Sequence, residues 1–407
     1  MRILFASRNF FPKGAIGGAQ TSIKHLATEF DRMGHEVAIL NVDDHQHLGT
    51  HEPSNLQEYR LKLRNIYTNG DHNVVARTVW HAIDRFGGRM EQPYREVISA
   101  FKPDVMYSHV LAGLGTSAWR AASALGVPIV HMVHDYYLLC VKSSMRNAEG
   151  ENCVSPCRFC RRMAVAPSVR ESAAISSVIY VSDHVQAVHR AAGMFLNATS
   201  HIIHGSYEPR EGVAPRTGLL DPGVLKLGYF GRIARDKGVV EMLQSLRSFD
   251  AMPWSLSIGG RGSPDFEQQV RAISAGLPVE MVGVRAPDEF FSSIDVLIVP
   301  SLWNDPAPRT AYEAGIHQVV PVVSAVGGLP QLAGHGSRGV IFDVRDPASL
   351  PTALDRLVRE PDTMARIRAN WLAATPGFSH SAVAEEILGV LQKASGPSNA
   401  RQSALVS

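Results

Sequence analysis

No stretch of this chain reaches the roughly 18 uninterrupted apolar residues that a helix needs to cross a bilayer, so no spanning segment is expected. The opening apolar run, Ile3 to Ala6, is too short for a signal peptide. The expected address is the cytoplasm, and peripheral contact with the inner face of a membrane stays open because an amphipathic basic face needs no span. A dominant charge is missing too. Forty Lys and Arg against 38 Asp and Glu leave a formal net charge of +2, and no basic run exceeds a few residues, so a nucleic-acid partner is not expected. The chain has no D-x-D pair of the kind that holds a divalent cation. It also lacks the G-x-G-x-x-G order of a dinucleotide fingerprint. Cysteine is scarce: there are four, all between positions 140 and 160.

What is present is the composition of a soluble globular protein, 407 residues long with 45% hydrophobic and 19% charged residues. That length favours two domains or three over a single core. "RILFAS" reads as a buried strand, and "NFFPKGAIGG" as a loop. "AQTSIKHLATEFDRMG" follows with Ile23, Leu26, Ala27 and Phe30 at helical spacing, and then "HEVAIL" as a second strand. This βαβ unit implies a parallel sheet. Strand-like runs continue at "DVMYSH", "VPIVHMVH", "SSVIYVS" and "HIIHG", with helices near 113–124 and 183–192. The span 48–95 fits no clear period and is expected to be a loop-and-helix insertion.

Pro and Gly concentrate at 207–223, which reads as a linker. A second alternation follows: "LKLGYFG", a helix from about Lys237, "SLSIGG", "PVEMVG", "DVLIVP", a helix holding Glu313, "VVPVVS" and "GVIFD". The expected fold is therefore α/β, two Rossmann-like doubly wound domains facing across a cleft at the carboxyl ends of their strands. The domains run 1–206 and 224–375. A C-terminal helix over 376–395 is expected to return to the first domain, and residues 396–407 to form a disordered tail.

Gly231, Arg232 and Lys237 lie where a strand gives way to a helix, and two cations beside a helix N-terminus suit an anion. A solvated basic turn fits the same pattern. Gly327 and Gly328 precede another helix, where paired glycines let backbone approach a phosphate or merely form a turn. Gly17 and Gly18 open the first helix. His134 ends a strand on the side expected to face the cleft, as a ligand contact or a structural histidine. His131, three residues earlier, should face the other way. Asp305 and Glu313 stand eight positions apart across a loop and a helix.

The cysteines, Cys140, Cys153, Cys157 and Cys160, are spaced C-x12-C-x3-C-x2-C. Disulfides are disfavoured in a cytoplasmic chain, and four thiolates suit a structural zinc. An iron–sulfur cluster or four reduced thiols are the alternatives.

Taken in order, "FPKGAIGGAQTSIKHLATEFDRMGHEV", "VHDYYLLC", "YVSDHV", "YFGRIARDKGV" and "PSLWNDPAPRTAYEAGIHQVVPVVSAVGGLPQL" resemble the retaining nucleotide-sugar glycosyltransferases of family four, which have the GT-B fold. The resemblance implies a donor held by a carboxylate pair written E-x7-E, here Asp305 near the sugar hydroxyls and Glu313 on the ribose. It implies that Arg232 and Lys237 grip the pyrophosphate, with Gly231, Gly327 and Gly328 beside it. Gly18, next to Gly17, would approach the donor phosphate and His134 the donor sugar. Backbone N–H groups of Ala307, Pro308's neighbour Arg309 and Thr310 would serve sugar or phosphate. The implied donor is UDP- or GDP-linked, the acceptor a glycan or lipid-linked hydroxyl in bacterial surface polysaccharide or glycoconjugate synthesis, and no catalytic metal is expected. One departure stands out: Asp305 replaces the usual glutamate, a stem shorter by ~1.5 Å. A sugar-nucleotide 2-epimerase of similar architecture, or an idle zinc-stapled scaffold subunit, are the competing expectations.

Overall fold

The computed structural model describes residues 1–8, 18–44, 56–63, 79–80, 82–85, 90–210 and 212–396. They fall into two units. One holds Met1–Arg146, Cys153–Ser206 and the chain from His380 onward; the other holds Asn147–Asn152 and Tyr207–Ser379. Gly17 and residues 397–407 of the expected tail lie outside the described residues, as does much of the span 48–95.

The first unit is built on seven parallel strands: β1 (Arg2–Ser7), β2 (Glu36–Asp44), β3 (Gln57–Leu63), β4 (Val105–Ser108), β5 (Ile129–Val133), β6 (Ser177–Tyr180) and β7 (Thr199–Ile202). Their order is β3-β2-β1-β4-β5-β6-β7. The helices are α1 (Gly18–Arg32), α2 (Glu91–Phe101), α3 (Ser117–Ala124), α4 (Ala166–Ser172) and α5 (Asp183–Ala191). β4, β5 and β6 are buried along their whole length, as strands covered by helices on both faces must be. α1 buries Ile23, Leu26, Ala27 and Phe30, the stripe its spacing dictates.

β3 corrects the expectation of a loop-and-helix insertion, since part of that span is a strand. "QEYRLKL" carries Glu58, Arg60 and Lys62, so it reads poorly as a buried strand. Those same features suit an edge strand, where charge discourages pairing with another chain.

The second unit alternates β8 (Leu225–Phe230), α6 (Val239–Leu246), β9 (Trp254–Gly259), α7 (Pro264–Ile273), β10 (Val279–Gly283), α8 (Pro287–Ser292), β11 (Val296–Val299), α9 (Arg309–Ile316), β12 (Val320–Ser324), α10 (Leu329–Leu332), β13 (Val340–Phe342), α11 (Ser349–Arg359) and α12 (Pro361–Ala374). Its six strands are parallel in the order β10-β9-β8-β11-β12-β13. The order reverses between β8 and β11, so the loops leaving these two strands flank the switch point where such sheets bind ligands.

The helix expected from about Lys237 begins later. Arg235–Lys237 form a 3-10 turn and α6 starts after Gly238, whose φ of 69° is left-handed. A side chain there would also drive its Cβ to 1.8 Å from the carbonyl oxygen of Pro300, so only glycine lets the turn lie this close to the end of β11.

The Pro/Gly stretch read as a linker is anchored within the second unit. The Tyr207 hydroxyl meets Asp288 Oδ1 and His317 Nε2, both at 2.9 Å, and Arg216 donates to the Ile294 carbonyl at 2.7 Å. The last helix, α13 (His380–Ser395), belongs to the first unit and packs against α1, β4 and β5. It buries Val383, Ala384, Ile387, Val390 and Leu391, a stripe at three- and four-residue spacing.

Candidate active site

In the second unit the predicted residues gather at the ends of β8, β11 and β12. The carbonyl of Asp236, in the turn after β8, accepts the N–H groups of Leu302 at 3.0 Å and Trp303 at 3.2 Å. The Ser324 hydroxyl, at the end of β12, donates to the Ser301 carbonyl at 2.7 Å. These bonds pin the loop after β11 between its neighbours. The consequence is an ion pair that spacing alone does not announce: the Lys237 ammonium donates to Asp305 Oδ2, and it lies 4.9 Å from the centre of the Trp303 ring. Asp305 is 8% exposed, so its charge needs such a partner.

Gly327 and Gly328 lie directly on this loop. The Gly328 N–H donates to the Asp305 carbonyl at 2.9 Å. Gly327 has φ of 58°, and a Cβ there would meet the Asp305 carbonyl oxygen at 2.3 Å and its nitrogen at 2.6 Å. The glycine therefore lets one backbone approach another, which shapes the seat of Asp305.

Arg232 is directed elsewhere. Its guanidinium is largely exposed and pairs with Asp236 at 2.8 Å, while its carbonyl accepts from the Tyr229 hydroxyl at 2.6 Å. Gly231, its neighbour, donates its N–H to the Gly259 carbonyl at 3.0 Å. Glu313 is buried on α9 and pairs one turn back with Arg309 at 2.9 Å. Burial pushes the Glu313 carboxyl above its ordinary range, and the Arg309 cation opposes that rise. Ala307, Pro308 and Thr310 are half-buried around the N-terminus of α9, where Pro308 adopts extended backbone and no side chain caps the helix. The Arg309 and Thr310 amides thus belong to the first turn, which has no intrahelical acceptors.

Asn152 was not legible in the sequence. Within the second unit its side chain donates to the Leu302 carbonyl at 2.7 Å and accepts the Asn304 N–H at 3.1 Å, matching both polar groups of the loop just before Asp305.

The first unit carries His134 and Gly18. Gly18 is the first residue of α1, and its carbonyl accepts the Ser22 hydroxyl at 3.1 Å. His134 follows β5, and its Nε2 lies 3.1 Å from Nδ1 of His109 at the end of β4. His109 is buried and stacks on Phe5 with ring centres 5.5 Å apart. Burial lowers His134 to about 4 and holds His109 well below its ordinary value, helped by the neighbouring His134 and His131. Both rings are therefore neutral near pH 7, and each can donate from one nitrogen only. His131 points into the core, bonded to Ser108 and edge-on to Trp119 at 4.9 Å. Close by in sequence, Tyr137 donates its hydroxyl to Asp84 Oδ2, and the Gly113 N–H reaches Asp84 Oδ1 at 3.1 Å. Burial raises the Asp84 carboxyl to about 6 against the pull of the Tyr137 bond. His109 and Asp84 offered no motif in the sequence, because only the fold brings them to their partners.

Residues 16–206 match the model of the glycosyltransferases described as family 4, and residues 216–371 match that of the glycosyl transferases group 1. The chain is a GT-B glycosyltransferase of the family-four type. Two curated relatives are similar to it. It is 22% identical to an uncharacterized 42.6 kDa protein in the cps region of Klebsiella pneumoniae, over 82% of this chain and 87% of that one. It is 28% identical to the D-inositol 3-phosphate glycosyltransferase of Stackebrandtia nassauensis, over 70% of this chain and 67% of the relative. Among solved structures, HepE of Anabaena in complex with UDP has a TM-score of 0.69 at 18% identity, covering 97% of this chain and 100% of that one. This glycosyltransferase therefore has two Rossmann-like domains, as its two parallel sheets show. No helix among the described residues is long and apolar enough to cross a membrane.

Proposed function

We propose that the enzyme transfers a sugar from a UDP-linked donor to a hydroxyl of a glycan or lipid-linked acceptor, with retention of anomeric configuration. The observation that carries this reading is the Lys237–Asp305 pair at the switch point of the second sheet. Lys237 holds one carboxylate oxygen, and Asp305 Oδ1 remains for a sugar hydroxyl. As the bond to the leaving diphosphate stretches, negative charge grows on its oxygens. Lys237 and the Arg309 and Thr310 amides are the donors that stabilise that charge more than the ground state, joined by the exposed Arg232 once it leaves Asp236 for the diphosphate. Glu313, paired with Arg309, serves the ribose hydroxyls. Gly327 and Gly328 keep the backbone at Asp305 in place. No step in this scheme calls for a divalent cation.

The UDP preference takes its support from Anabaena HepE, solved in complex with UDP and with UDP-glucose. A role in building bacterial surface polysaccharide takes its support from the Klebsiella pneumoniae relative of the cps region. The site of action is proposed as cytoplasmic, with the acceptor met at the inner face of the membrane. The epimerase and scaffold readings draw no support from these relatives. Incubation with UDP-, GDP- and dTDP-sugars and measurement of released nucleotide tests the proposal. Release from a UDP-sugar, with an α-linked product from an α-linked donor by NMR, is expected; an inverted product would remove the retaining mechanism while leaving the donor assignment.

A further inference from the structure

The connection from β5 to α4 carries the four cysteines and a run of arginines that sugar transfer does not use. Cys140 and Cys160 are buried, Cys153 is half-buried, Cys157 is exposed, and none is in a disulfide. Among the described residues no group of three or more His, Cys, Asp and Glu could hold a metal ion, so the zinc expected from the cysteine spacing gains no support. What the connection does build is a protruding surface.

That surface starts at Val154, which is 100% exposed and so packs on almost nothing of its own chain. Cys157 then caps a helical turn, Arg158–Cys160, its Sγ accepting the Cys160 N–H at 3.4 Å. The helix continues through a π-helical turn, Arg161–Val165, into α4. Cys160 and Ala164 are buried, whereas Arg158, Phe159, Arg161 and Arg162 are exposed. The buried pair, four residues apart, fixes which side of the helix faces outward.

Charge on this surface is of one sign. From Val154 to Arg170 there are four arginines and no acidic residue, in a chain whose formal net charge is only +2. Arg170 pairs with Glu171 at 3.3 Å. Arg158, Arg161 and Arg162 form no ion pair among the described residues. Arg161 donates from Nε to the Pro156 carbonyl at 3.1 Å, which leaves its other N–H groups available. Three unpaired guanidinium groups thus lie beside Val154 and a Phe159 that is 51% exposed. Neither feature helps the fold, because like charges repel and exposed apolar side chains gain nothing from burial.

The combination selects its partner. An acidic protein surface would answer the arginines but would also need pockets shaped for Val154 and Phe159. A bilayer interface takes projecting apolar side chains without a shaped pocket, and its phosphates accept guanidinium groups in pairs of hydrogen bonds. Anionic headgroups add attraction for every basic side chain near them. We propose that residues 154–162 dock the enzyme on an anionic phospholipid bilayer, with Val154 and Phe159 entering the headgroup layer and Arg158, Arg161 and Arg162 on lipid phosphates. This surface deepens the proposed encounter with an acceptor at the membrane and rests on that reading for its purpose alone; the docking itself is independent of donor and acceptor.

Co-sedimentation of the full-length protein with vesicles is the test. Binding is expected to vesicles of phosphatidylcholine mixed with phosphatidylglycerol, and it should fall as salt is raised. Phosphatidylcholine alone should bind at least about tenfold more weakly. Val154→Ser with Phe159→Ser, and Arg158→Glu with Arg162→Glu, should each weaken binding to the mixed vesicles at least about tenfold, with Tm and nucleotide release from a UDP-sugar in free solution unchanged. Phe159→Trp should add a blue-shifted fluorescence on vesicle addition that the wild type lacks, which reads insertion rather than charge. A wild type that binds vesicles but releases no nucleotide would sink the transfer reading and leave the docking standing. No sedimentation with the mixed vesicles, equal binding by the variants, or retention on polyglutamate without binding to vesicles would overturn the proposal, the last by assigning the arginines to an acidic protein.

Discussion

Lys237 and Asp305 are 68 residues apart in the chain and joined by a direct ion pair. One comes from the turn after β8 and the other from the loop after β11, so the pair bridges the two strands at which the sheet order reverses. Lys237→Ala is expected to lower kcat at least about tenfold, the low end for losing a preorganised donor to a developing anion. Steady-state kinetics with a UDP-sugar check this, and unchanged turnover would deny Lys237 its role.

Asp305 is the residue where the chain departs from the family pattern. Lengthening it in Asp305→Glu moves the carboxylate by ~1.5 Å into space that Lys237 already occupies. The expected outcome is a shift in relative kcat/KM between competing donor sugars of roughly tenfold or more, as for other one-methylene changes in a pocket. An unaltered preference would show that the carboxylate does not meet the sugar.

Gly327→Ala should fail for a steric reason. The new Cβ would lie 2.3 Å from the Asp305 carbonyl oxygen, at a φ of 58°. A loss of about 1–3 kcal/mol is expected from strain of this kind, together with a raised donor KM. Thermal melts and kinetics read the two effects separately.

How much of this was legible in the sequence depends on whether a feature is local. The βαβ alternation and both glycine pairs are local patterns, and they led to the fold and to the neighbourhood of the site. β3 is not legible because a charged edge strand lacks the apolar run of its buried neighbours. The partners of the site residues are non-local: nothing in "GRIARDKGV" says that Lys237 turns to Asp305 while Arg232 turns to Asp236. The sequence leaves Gly327 as access for a phosphate or a simple turn, and only the fold shows that it lies against the Asp305 backbone. Asn152 sits in a loop that gives no cue of its contacts with Leu302 and Asn304.

Asn152→Ala removes two hydrogen bonds to the backbone before Asp305 and leaves the Leu302 carbonyl and Asn304 N–H short of partners. An unsatisfied buried group costs roughly 1–3 kcal/mol. The expected signature is a higher donor KM with a smaller change in kcat, because Asn152 acts through the loop. Equal KM in wild type and variant would show that the loop holds its shape without it.

The histidine pair makes stability depend on pH. His134 titrates at about 4 in the folded chain, against an ordinary value of 6.5. Between those values the unfolded chain binds the extra proton, so the His134 contribution to stability is full above about 6.5 and is lost as pH falls toward 4. Asp84, raised to about 6 from 3.8, acts with the opposite sign over part of that range. The difference in Tm between wild type and His134→Gln, followed from pH 7 to pH 4 on a scale set by these values, isolates the histidine. It should shrink on acidification, and a constant difference would show that His134 is charged in the folded state.

The most direct measurement is calorimetric titration of the wild-type chain and Lys237→Ala with UDP, GDP and dTDP. If the second unit holds a nucleotide diphosphate through Lys237, UDP binds the wild type and binds the variant at least about tenfold more weakly, a loss of ~1.4 kcal/mol. Absence of binding by any of the three nucleotides to the folded wild-type protein would contradict the nucleotide-sugar site itself.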